Sequence, residues 1–451
     1  MADTIAAIAT TSGGAIGIIR ISGDEAITIT NHIFRPQKQK DFLHVSGYSV
    51  HYGQIYDPEN TNVTVDEALV IVFRNPHSYT GEDSVEISLH GSPYIMQRTM
   101  ELLILSGARQ AAPGEFTQRA FLNGKMDLSQ AEAVADLIAV ENATTHRMAM
   151  QQLKGGISTE LGKLRNELLK LTSLLELELD FSDQDVKFAD RTQLIELTET
   201  TLSHIHHLAE TFHTGNALKN GIPIAIIGAP NVGKSTLLNK LLNEEKAIVS
   251  EEEGTTRDLI EDTIHIHGIC YRFIDTAGIR NTRSKVEKIG IQRSMQAAEK
   301  SRFILLLTEQ GIPFPSIPLP HDVQVIRVIN KCDKNNNNYN HNNLHNSECV
   351  CISALTGEGI PELLSHIEQA TQLPHTEKGE IIITHLRHYQ ALMESIIGLK
   401  RVKEGLHSGL QNELIIEDLK LVLEQLGKIT GSTIQTEEIL QSIFHNFCIG
   451  K

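Results

Sequence analysis

Long apolar runs are missing from this 451-residue chain. None approaches the roughly 20 consecutive residues that a membrane-spanning helix needs, and the start Met1-Ala2-Asp3-Thr4 has no basic segment of the kind that opens a secretory signal. Basic residues are scarce too, since 40 lysines and arginines stand against 56 aspartates and glutamates, for a net charge of −16. This balance argues against a surface coated with basic patches for nucleic acid, so any RNA contact must be local. We expect a soluble, cytoplasmic protein without membrane contact.

Cysteine is too rare for a disulfide framework, with five residues in the whole chain. Cys349 and Cys351 form a C-x-C pair in a strand-like segment. Without a second pair this is weak evidence for a metal site, and buried or edge thiols are the more frequent case. Cys270 and Cys332 lie beside segments with nucleotide-binding character, where we expect them to serve in packing.

The chain does contain a glycine-rich segment, Gly228-Ala229-Pro230-Asn231-Val232-Gly233-Lys234-Ser235, directly after the apolar run 222–227. A buried strand followed by such a turn and a helix holds phosphate groups: backbone N–H groups converge on the oxygens, Lys234 neutralises charge, and the Ser235 hydroxyl can reach Mg²⁺. The alternative, a glycine turn before an ordinary helix, is rare for this pattern. We therefore predict a P-loop.

The base is indicated by Asn330-Lys331-Cys332-Asp333, which closes the strand-like segment 323–329. An ionised Asp333 can accept hydrogen bonds from the ring N–H and amino group of guanine, whereas adenine has no matching donor pair. Alone, this segment could equally be a polar strand end, but after a P-loop it favours guanine. Cys351-Ile352-Ser353-Ala354-Leu355 adds a strand end whose backbone can pack against the base.

Two segments between these motifs complete a nucleotide site. Asp275-Thr276-Ala277-Gly278 can hold a metal-bound water and meet the γ-phosphate, and Gly254-Thr255-Thr256-Arg257-Asp258 offers a threonine hydroxyl to the same metal. The five segments occur in the order, and at about the spacing, found in Ras-like GTPases, which this part of the chain resembles.

The residue that usually orients water in Ras-like switches is absent. A glutamine commonly follows D-x-x-G directly, but this chain has Ile279, which cannot orient water. Asn231, followed by a threonine-bearing switch, resembles the GTPases in which a bound K⁺ takes the place of an arginine finger. Hydrolysis would then depend on fixed electrostatics from a monovalent cation.

Helical and mixed segments flank the nucleotide module. Residues 1–120 read as mixed α/β, with strand-like segments at 15–21, 68–73 and 85–90 and helical spacing over 94–105. In the alternating segment 85–90, Glu86, Ser88 and His90 share one face, which the sequence alone favours as a solvated sheet face. Residues 121–215 are expected to be helical, with an apolar stripe that needs a partner helix, most economically from the helical tail 380–451. The stripe consists of Leu161, Leu164, Leu168, Leu171, Leu174, Leu175 and Leu179.

We therefore predict an α/β plus all-α protein in which a GTPase domain is inserted into a discontinuous helical domain. The N-terminal α/β domain would span 1–120. The helical domain would comprise 121–215 and 378–451, and the Ras-like P-loop GTPase domain 216–377. An Asn-rich loop at 334–343 receives no function.

Beyond its GTPase segment, the whole chain resembles the MnmE (TrmE) family of tRNA modification GTPases. The resemblance is carried by Asp3-Thr4-Ile5-Ala6-Ala7-Ile8-Ala9-Thr10, by the run from Pro113 to Lys125, by Asp127-Leu128-Ser129-Gln130-Ala131-Glu132-Ala133, and by the tail Phe447-Cys448-Ile449-Gly450-Lys451. Two segments depart from the family's usual pattern: the acidic Ser250-Glu251-Glu252-Glu253-Gly254, and Thr10-Thr11-Ser12-Gly13-Gly14, which lacks Pro-Pro-Gly.

The resemblance implies a K⁺-stimulated GTPase that forms a homodimer through its N-terminal domain. It also implies that the N-terminal α/β domain, residues 1–120, is a folate-binding and dimerisation domain that binds 5-formyltetrahydrofolate or a related one-carbon tetrahydrofolate. An FAD-dependent partner, MnmG, would join it in a heterotetramer or larger assembly. Together they would install a carboxymethylaminomethyl or related aminomethyl group at carbon 5 of the wobble uridine of certain tRNAs. The alternative is an RNA-binding or ribosome-assembly GTPase switch, but such proteins usually carry a recognisable RNA-binding module, and none is evident in the sequence.

Residue roles follow from matching positions. The resemblance implies catalytic roles for Glu287, Asn231 and Lys234, folate contacts for Arg20, Glu86, Lys125 and Lys451, and a possible reactive thiol at Cys448. It implies Mg²⁺ ligation by Ser235 and Thr256, and K⁺ ligation by Asn231, Ser250, Glu252 and Thr255. The GTP-binding residues would be Asn231, Val232, Gly233, Lys234, Ser235, Thr236, Ser250, Glu251, Glu252, Glu253, Gly254, Thr255, Thr256, Asp275, Thr276, Ala277, Gly278, Asn330, Lys331, Asp333, Ser353 and Ala354.

Overall fold

The structure is a computed structural model. It describes residues 3–11, 13–38, 41–60, 63–140, 142–180, 191–246, 262–266, 269–274, 296–299, 301–315, 323–334, 349–371, 381–433, 444, 447 and 450. The chain divides into two compact units. Unit 1 comprises residues 1–139, 149–205 and 391–451, and unit 2 comprises residues 140–148 and 206–390.

Unit 1 contains a seven-stranded sheet in the order β3-β4-β5-β6-β2-β1-β7. Its strands are β1 (Ile5–Ile8), β2 (Ile16–Ser22), β3 (Phe34–Pro36), β4 (Ser49–Tyr56), β5 (Thr64–Phe73), β6 (Ser84–His90) and β7 (Arg109–Gln110). Neighbouring strands are antiparallel except β1 and β7, which are parallel. The sequence prediction of strands at 68–73 and 85–90 is confirmed, because both segments lie within β5 and β6.

Two helices, α1 (Ala26–Ile33) and α2 (Pro93–Leu105), pack on this sheet. Their apolar side chains join those of the strands in one core, in which Ile19, Val70 and Leu103 are fully buried. The helix predicted over 94–105 is confirmed, and it begins at Pro93, where the missing N–H of proline costs nothing. Apolar periodicity therefore predicts both element types in this part of unit 1.

The helical part of unit 1 is built around the leucine stripe. Further helices of the chain are α3 (Glu115–Leu122), α4 (Leu128–Ile138), α5 (Ala143–Leu153), α6 (Gly156–Asp180) and α7 (Arg191–Asn220). The stripe lies on α6, where Leu161, Leu164, Leu168, Leu171 and Leu175 are buried. Its partner comes from the tail, as predicted: α11 (Asn412–Thr430), which follows α10 (Leu386–Ser408), packs along α6.

The motif at Asp127 has a local structural meaning. The Asp127 carboxylate accepts from the backbone N–H of Gln130, and the Gln130 side chain accepts from the backbone N–H of Asp127. This reciprocal pair is a capping box, which satisfies two backbone donors at the start of α4. One part of the family resemblance is therefore a helix-start signal.

Unit 2 contains a six-stranded sheet in the order β13-β12-β11-β8-β10-β9. Its strands are β8 (Ile222–Gly228), β9 (Asp262–Ile266), β10 (Ile269–Phe273), β11 (Phe303–Glu309), β12 (Gln324–Asn330) and β13 (Cys349–Cys351). All neighbours are parallel except β9 and β10. Helices α8 (Lys234–Lys246) and α9 (Ile360–Thr371) belong to the same unit. The central strands β8 and β11 are buried almost throughout, as expected for a parallel sheet covered on both faces.

The predicted boundaries at 120, 215 and 377 remain predictions. Within the described ranges, every helix is either too short or too polar to cross a bilayer.

Candidate functional site

The turn between β8 and α8 has the geometry of a phosphate-binding loop. Asn231 and Gly233 have φ angles of 63° and 95°, in the left-handed region. A Cβ atom at Gly233 would clash with the side-chain amide nitrogen of Asn330, so the loop needs glycine at this position for space as well as for conformation. The first turn of α8 follows immediately, and it places Ser235 and Thr236 at a helix N-terminus.

Lys234 is held over this loop by backbone atoms. Its Nζ donates to the carbonyl oxygens of Gly228 and Ala229, each at 2.9 Å. Burial lowers the pKa of the Lys234 ammonium, because taking the charge out of water disfavours the protonated form. An anion placed beside Lys234 would offset that cost, so this part of the site is suited to phosphate.

Asn330, at the end of β12, joins the phosphate loop to the base-recognition segment. Its Nδ2 donates to the Val232 carbonyl at 2.8 Å, and its Oδ1 accepts from the backbone N–H groups of Lys331 at 2.8 Å and Ala354 at 2.9 Å. The side chain is buried, with 1% exposure of the residue. One buried amide therefore fixes three backbone segments relative to each other.

The base-recognition residues converge on the same edge of the sheet. Asp333 accepts a hydrogen bond at 2.7 Å from the hydroxyl of Ser353, which follows β13. Lys331 has a φ of 66°, and its Nζ donates to the Asn231 carbonyl at 2.7 Å and forms an ion pair with Glu309. The structure thus brings together the described residues of the predicted GTP site.

Glu309 is a member of this site that sequence analysis does not single out. It is the last residue of β11, where it lies opposite Asn330 in the register with β12. The available signal is a single acidic residue at the end of a mostly apolar strand, Phe303–Glu309. Because parallel strands end at a common edge, such a residue falls beside the nucleotide segments.

Many predicted site residues fall outside the described part of the chain. These are Ser250, Glu251, Glu252, Glu253, Gly254, Thr255, Thr256, Asp275, Thr276, Ala277, Gly278, Glu287, Cys448 and Lys451. Their roles remain predictions.

The four described cysteines, Cys270, Cys332, Cys349 and Cys351, are free thiols. Burial and the neighbouring Cys351 raise the pKa of the Cys332 thiol to about 11, so this thiol stays protonated. Across the described residues, no cluster of three or more histidine, cysteine, aspartate or glutamate side chains is arranged to hold a metal ion.

A second polar site lies in unit 1, where β2 and β6 pair. Arg20 is opposite Glu86 in the register, and its Nε and NH2 groups donate to Glu86 Oε1 at 2.9 and 2.8 Å. Its NH1 group donates to the Gly450 carbonyl at 3.2 Å. The guanidinium lies 5.7 Å from the ring centre of Tyr79 and 5.8 Å from that of Phe116. The Glu86 side chain therefore lies in an ordered polar site, formed by its ion pair with Arg20 and flanked by two aromatic rings.

Lys125 and His90 contact residues other than Arg20 and Glu86. Lys125 donates from Nζ to the Pro76 carbonyl at 2.9 Å. His90, also on the Glu86 face, is exposed and contacts Asp66 at 2.8 Å, and that carboxylate raises the pKa of the His90 imidazole. The prediction of a solvated sheet face is therefore confirmed for His90, whereas the Glu86 side chain is half-buried in its ion pair.

Comparisons with known proteins agree with this architecture. A family model described as "GTP-binding protein TrmE N-terminus" matches residues 4–125, and one described as "MnmE helical domain" matches residues 128–448. The chain is 48% identical, over all of its length and 99% of the relative, to "tRNA modification GTPase MnmE" of Bacteroides fragilis (strain YCH46). It is 47% identical, with the same coverage, to the protein of that name from Flavobacterium johnsoniae.

Among solved structures, the FeoB G-domain from Methanococcus jannaschii is 22% identical and has a TM-score of 0.23, with 34% of this chain and 98% of that chain covered. The predicted fold class, an α/β domain with a helical domain and a P-loop GTPase module, is confirmed by the family matches together with the two sheets.

Proposed function

The chain belongs to the MnmE family of tRNA modification GTPases and is a GTP hydrolase of tRNA modification, and we propose that its hydrolysis is stimulated by K⁺ and coupled to a folate-dependent reaction on tRNA. With an FAD-dependent partner, MnmG, it would install the carboxymethylaminomethyl or a related aminomethyl group at carbon 5 of the wobble uridine of certain tRNAs. The observation that most directly supports GTP binding is the Asn330 amide, which joins the phosphate loop to the guanine-recognition segment.

GTP fits the residues of unit 2. The backbone from Asn231 to Thr236 would surround the phosphates, with Lys234 as the neutralising cation. Asp333 is already oriented by Ser353, and its carboxylate would accept hydrogen bonds from the ring N–H and the amino group of guanine. Charge-assisted hydrogen bonds of this kind contribute about 1.5–3 kcal/mol each, which supports strong discrimination against adenine.

Two cations complete the proposed site. Mg²⁺ would be held by Ser235 and Thr256, and K⁺ by Asn231, Ser250, Glu252 and Thr255. Asn231 fits this role because its backbone carbonyl is engaged by Lys331, whereas its exposed side-chain amide makes no hydrogen bond within the described residues. A bound K⁺ would supply the positive charge that an arginine finger supplies in other GTPases.

Water activation is assigned to Glu287, since Ile279 cannot orient a water molecule. A carboxylate at this position would orient the attacking water through a second water. Lys234 would stabilise the charge that develops on the phosphate oxygens.

The Arg20–Glu86 site would bind the folate, with Lys125 and Lys451 as further contacts and Cys448 nearby as a possible reactive thiol. A carboxylate paired with a guanidinium offers both acceptors and donors, which suits the donor- and acceptor-bearing edge of a pteridine. The basic side chains suit the glutamate tail of the ligand.

A homodimer through the N-terminal sheet is supported by exposed apolar residues on β4 and β5. Val50, Tyr52 and Leu69 are 61%, 45% and 47% exposed, and Tyr52 lies opposite Leu69 in the register. Adjacent large apolar side chains on an outer sheet face are typical of protein interfaces. We place the dimer, its MnmG partner and the tRNA reaction in the cytoplasm.

The cation mechanism can be tested by steady-state GTP hydrolysis in KCl and in NaCl at equal ionic strength. We expect hydrolysis to rise steeply when K⁺ replaces Na⁺, and Asn231→Ala to abolish the difference. Asn220→Ala is a matched control, because Asn220 is an exposed asparagine of unit 2 whose amide contacts Asn216 on the same helix. Equal rates of the unmodified protein in both salts would remove K⁺ from the proposal.

A further inference from the structure

We propose that Tyr79 is an additional binding residue of the Arg20–Glu86 site, and that its ring packs against the planar heterocycle of the ligand. The ligand class is a nitrogen-rich fused ring with hydrogen-bond donors and acceptors on one edge, such as the pteridine of a folate. This inference rests on the proposed folate-binding function and assigns the residue that contacts the face of the ring.

The ion pair leaves polar groups available for such an edge. Both hydrogen bonds from Arg20 to Glu86 end on Oε1, and Oε2 accepts none within the described residues. Arg20 has five N–H donors, of which two are directed to Glu86 and one to Gly450. In the part of the chain that the structure describes, the two remaining N–H donors have no acceptor. A carboxylate oxygen and guanidinium donors therefore stand side by side.

Two aromatic rings flank this pair, but only one of them is accessible. Phe116 has 0% exposure and belongs to the core, whereas Tyr79 is 37% exposed. A flat ligand that bonds to the edge of the Arg20–Glu86 pair would therefore have the Tyr79 ring as its aromatic neighbour. Aromatic rings in proteins favour offset or edge contacts with other π-systems.

Tyr79 is held in place by the segment that carries α3. The Tyr79 hydroxyl and Thr117 Oγ1 form a hydrogen bond of 2.9 Å. Side chains of the same segment fix the rest of the loop through three further contacts: Asn123 to the Thr80 carbonyl, Arg119 to Glu82, and Lys125 to the Pro76 carbonyl. A ring fixed before binding loses little conformational entropy when a ligand packs against it.

The chain tail fixes the other side of the guanidinium. Gly450 has a φ of 93°, and a Cβ atom there would lie 2.8 Å from the Ile8 carbonyl oxygen, so the tail approaches β1 closely. Upstream, Phe444 and Phe447 pack with Leu128 in a small apolar cluster. With Arg20 restrained by Glu86 and by the tail, we expect the Tyr79 ring to set the orientation of the heterocycle.

The test uses the absence of tryptophan from the chain. Tyr79→Trp introduces a single tryptophan at the site, and Tyr94→Trp introduces one at a 72% exposed tyrosine on α2 as a matched control. The full-length protein is titrated with 5-formyltetrahydrofolate, and binding is measured by calorimetry while tryptophan emission is recorded. We expect saturable quenching in Tyr79→Trp, with the midpoint given by calorimetry, and none in Tyr94→Trp.

A second pair of variants measures affinity. Tyr79→Leu should weaken 5-formyltetrahydrofolate binding by about three- to tenfold, whereas Tyr79→Phe, which keeps the ring, should stay within about twofold. Binding of p-aminobenzoylglutamate, which has no pteridine, should not respond to Tyr79→Leu. Folate binding without quenching in Tyr79→Trp, or with unchanged affinity in a folded Tyr79→Leu, overturns this inference alone. If the unmodified protein binds no folate, the proposed folate site is wrong as well.

Discussion

Replacing Asn330 by alanine should separate the phosphate loop from the base-recognition segment. The variant loses three hydrogen bonds and leaves two buried groups, the Val232 carbonyl and the Ala354 N–H, without this partner. A buried polar group that loses its partner costs about 1–3 kcal/mol. Two such groups lower the stability of the nucleotide-competent arrangement by about 3 kcal/mol. Because the nucleotide binds only to that arrangement, this loss corresponds to roughly 100-fold weaker binding.

The assay is a titration of nucleotide-free full-length protein with a fluorescent GDP analogue, together with thermal unfolding with and without GDP. Asn330→Asp is a sharper second variant, because it keeps Oδ1 but places a carboxylate oxygen against the Val232 carbonyl, so we expect at least the same loss. Asn220→Ala, which removes an exposed contact in the same unit, should bind GDP normally. The reasoning is refuted if folded Asn330→Ala binds GDP within about threefold of the unmodified protein.

Three further predictions concern charged side chains, two at the nucleotide site and one in unit 1. Asp333→Asn should lower GTP affinity at least about 100-fold and favour xanthosine triphosphate, measured by competition binding; unchanged guanine preference would contradict the assigned base contact. Glu309→Gln should weaken GDP binding by only about twofold to fivefold, since its ion pair with Lys331 is partly exposed, and a loss near 100-fold in the same titration would contradict this. Glu115→Gln should lower the stability of unit 1 at pH 7. Burial raises the pKa of the Glu115 carboxyl, but hydrogen bonds from Arg109, the Ala112 N–H and Arg119 outweigh this and hold it below its ordinary value. The ionised form is therefore favoured by folding, so the stability difference should be full above about pH 4.3 and shrink as the pH falls through the lowered pKa, as followed by thermal unfolding; a difference that does not depend on pH would contradict this.

The nucleotide site could be predicted from sequence where its geometry is local. Gly233 must be glycine because of its φ and its contact with Asn330, and Lys234 follows at the first turn of the helix, so one short segment carries the whole signal. Asn330 and Asp333 are also recognisable, because both sit at the end of one apolar strand. The position of Glu309 at a strand end is visible in the sequence, but its ion pair with Lys331 could not be predicted, because it depends on which strand lies beside β12.

The Arg20–Glu86 site shows what the alternation of apolar and polar residues in a strand can and cannot predict. Alternation correctly predicts that Glu86 lies on the less buried face of β6, but it cannot identify Arg20 as its cross-strand partner, which depends on the register between β2 and β6. The family resemblance implies only that both residues contact the folate. Sequence patterns do not single out Tyr79, because its position depends on side chains of the α3 segment, about 40 residues further along the chain, which hold its loop.

The most direct test of the function is the nucleoside composition of tRNA from cells that lack this protein, determined by mass spectrometry after complementation. The account predicts that C5-modified wobble uridine disappears in the deletion strain, returns with the unmodified protein, and stays absent with Lys234→Ala. A deletion strain whose tRNA keeps its full content of C5-modified uridine would contradict it.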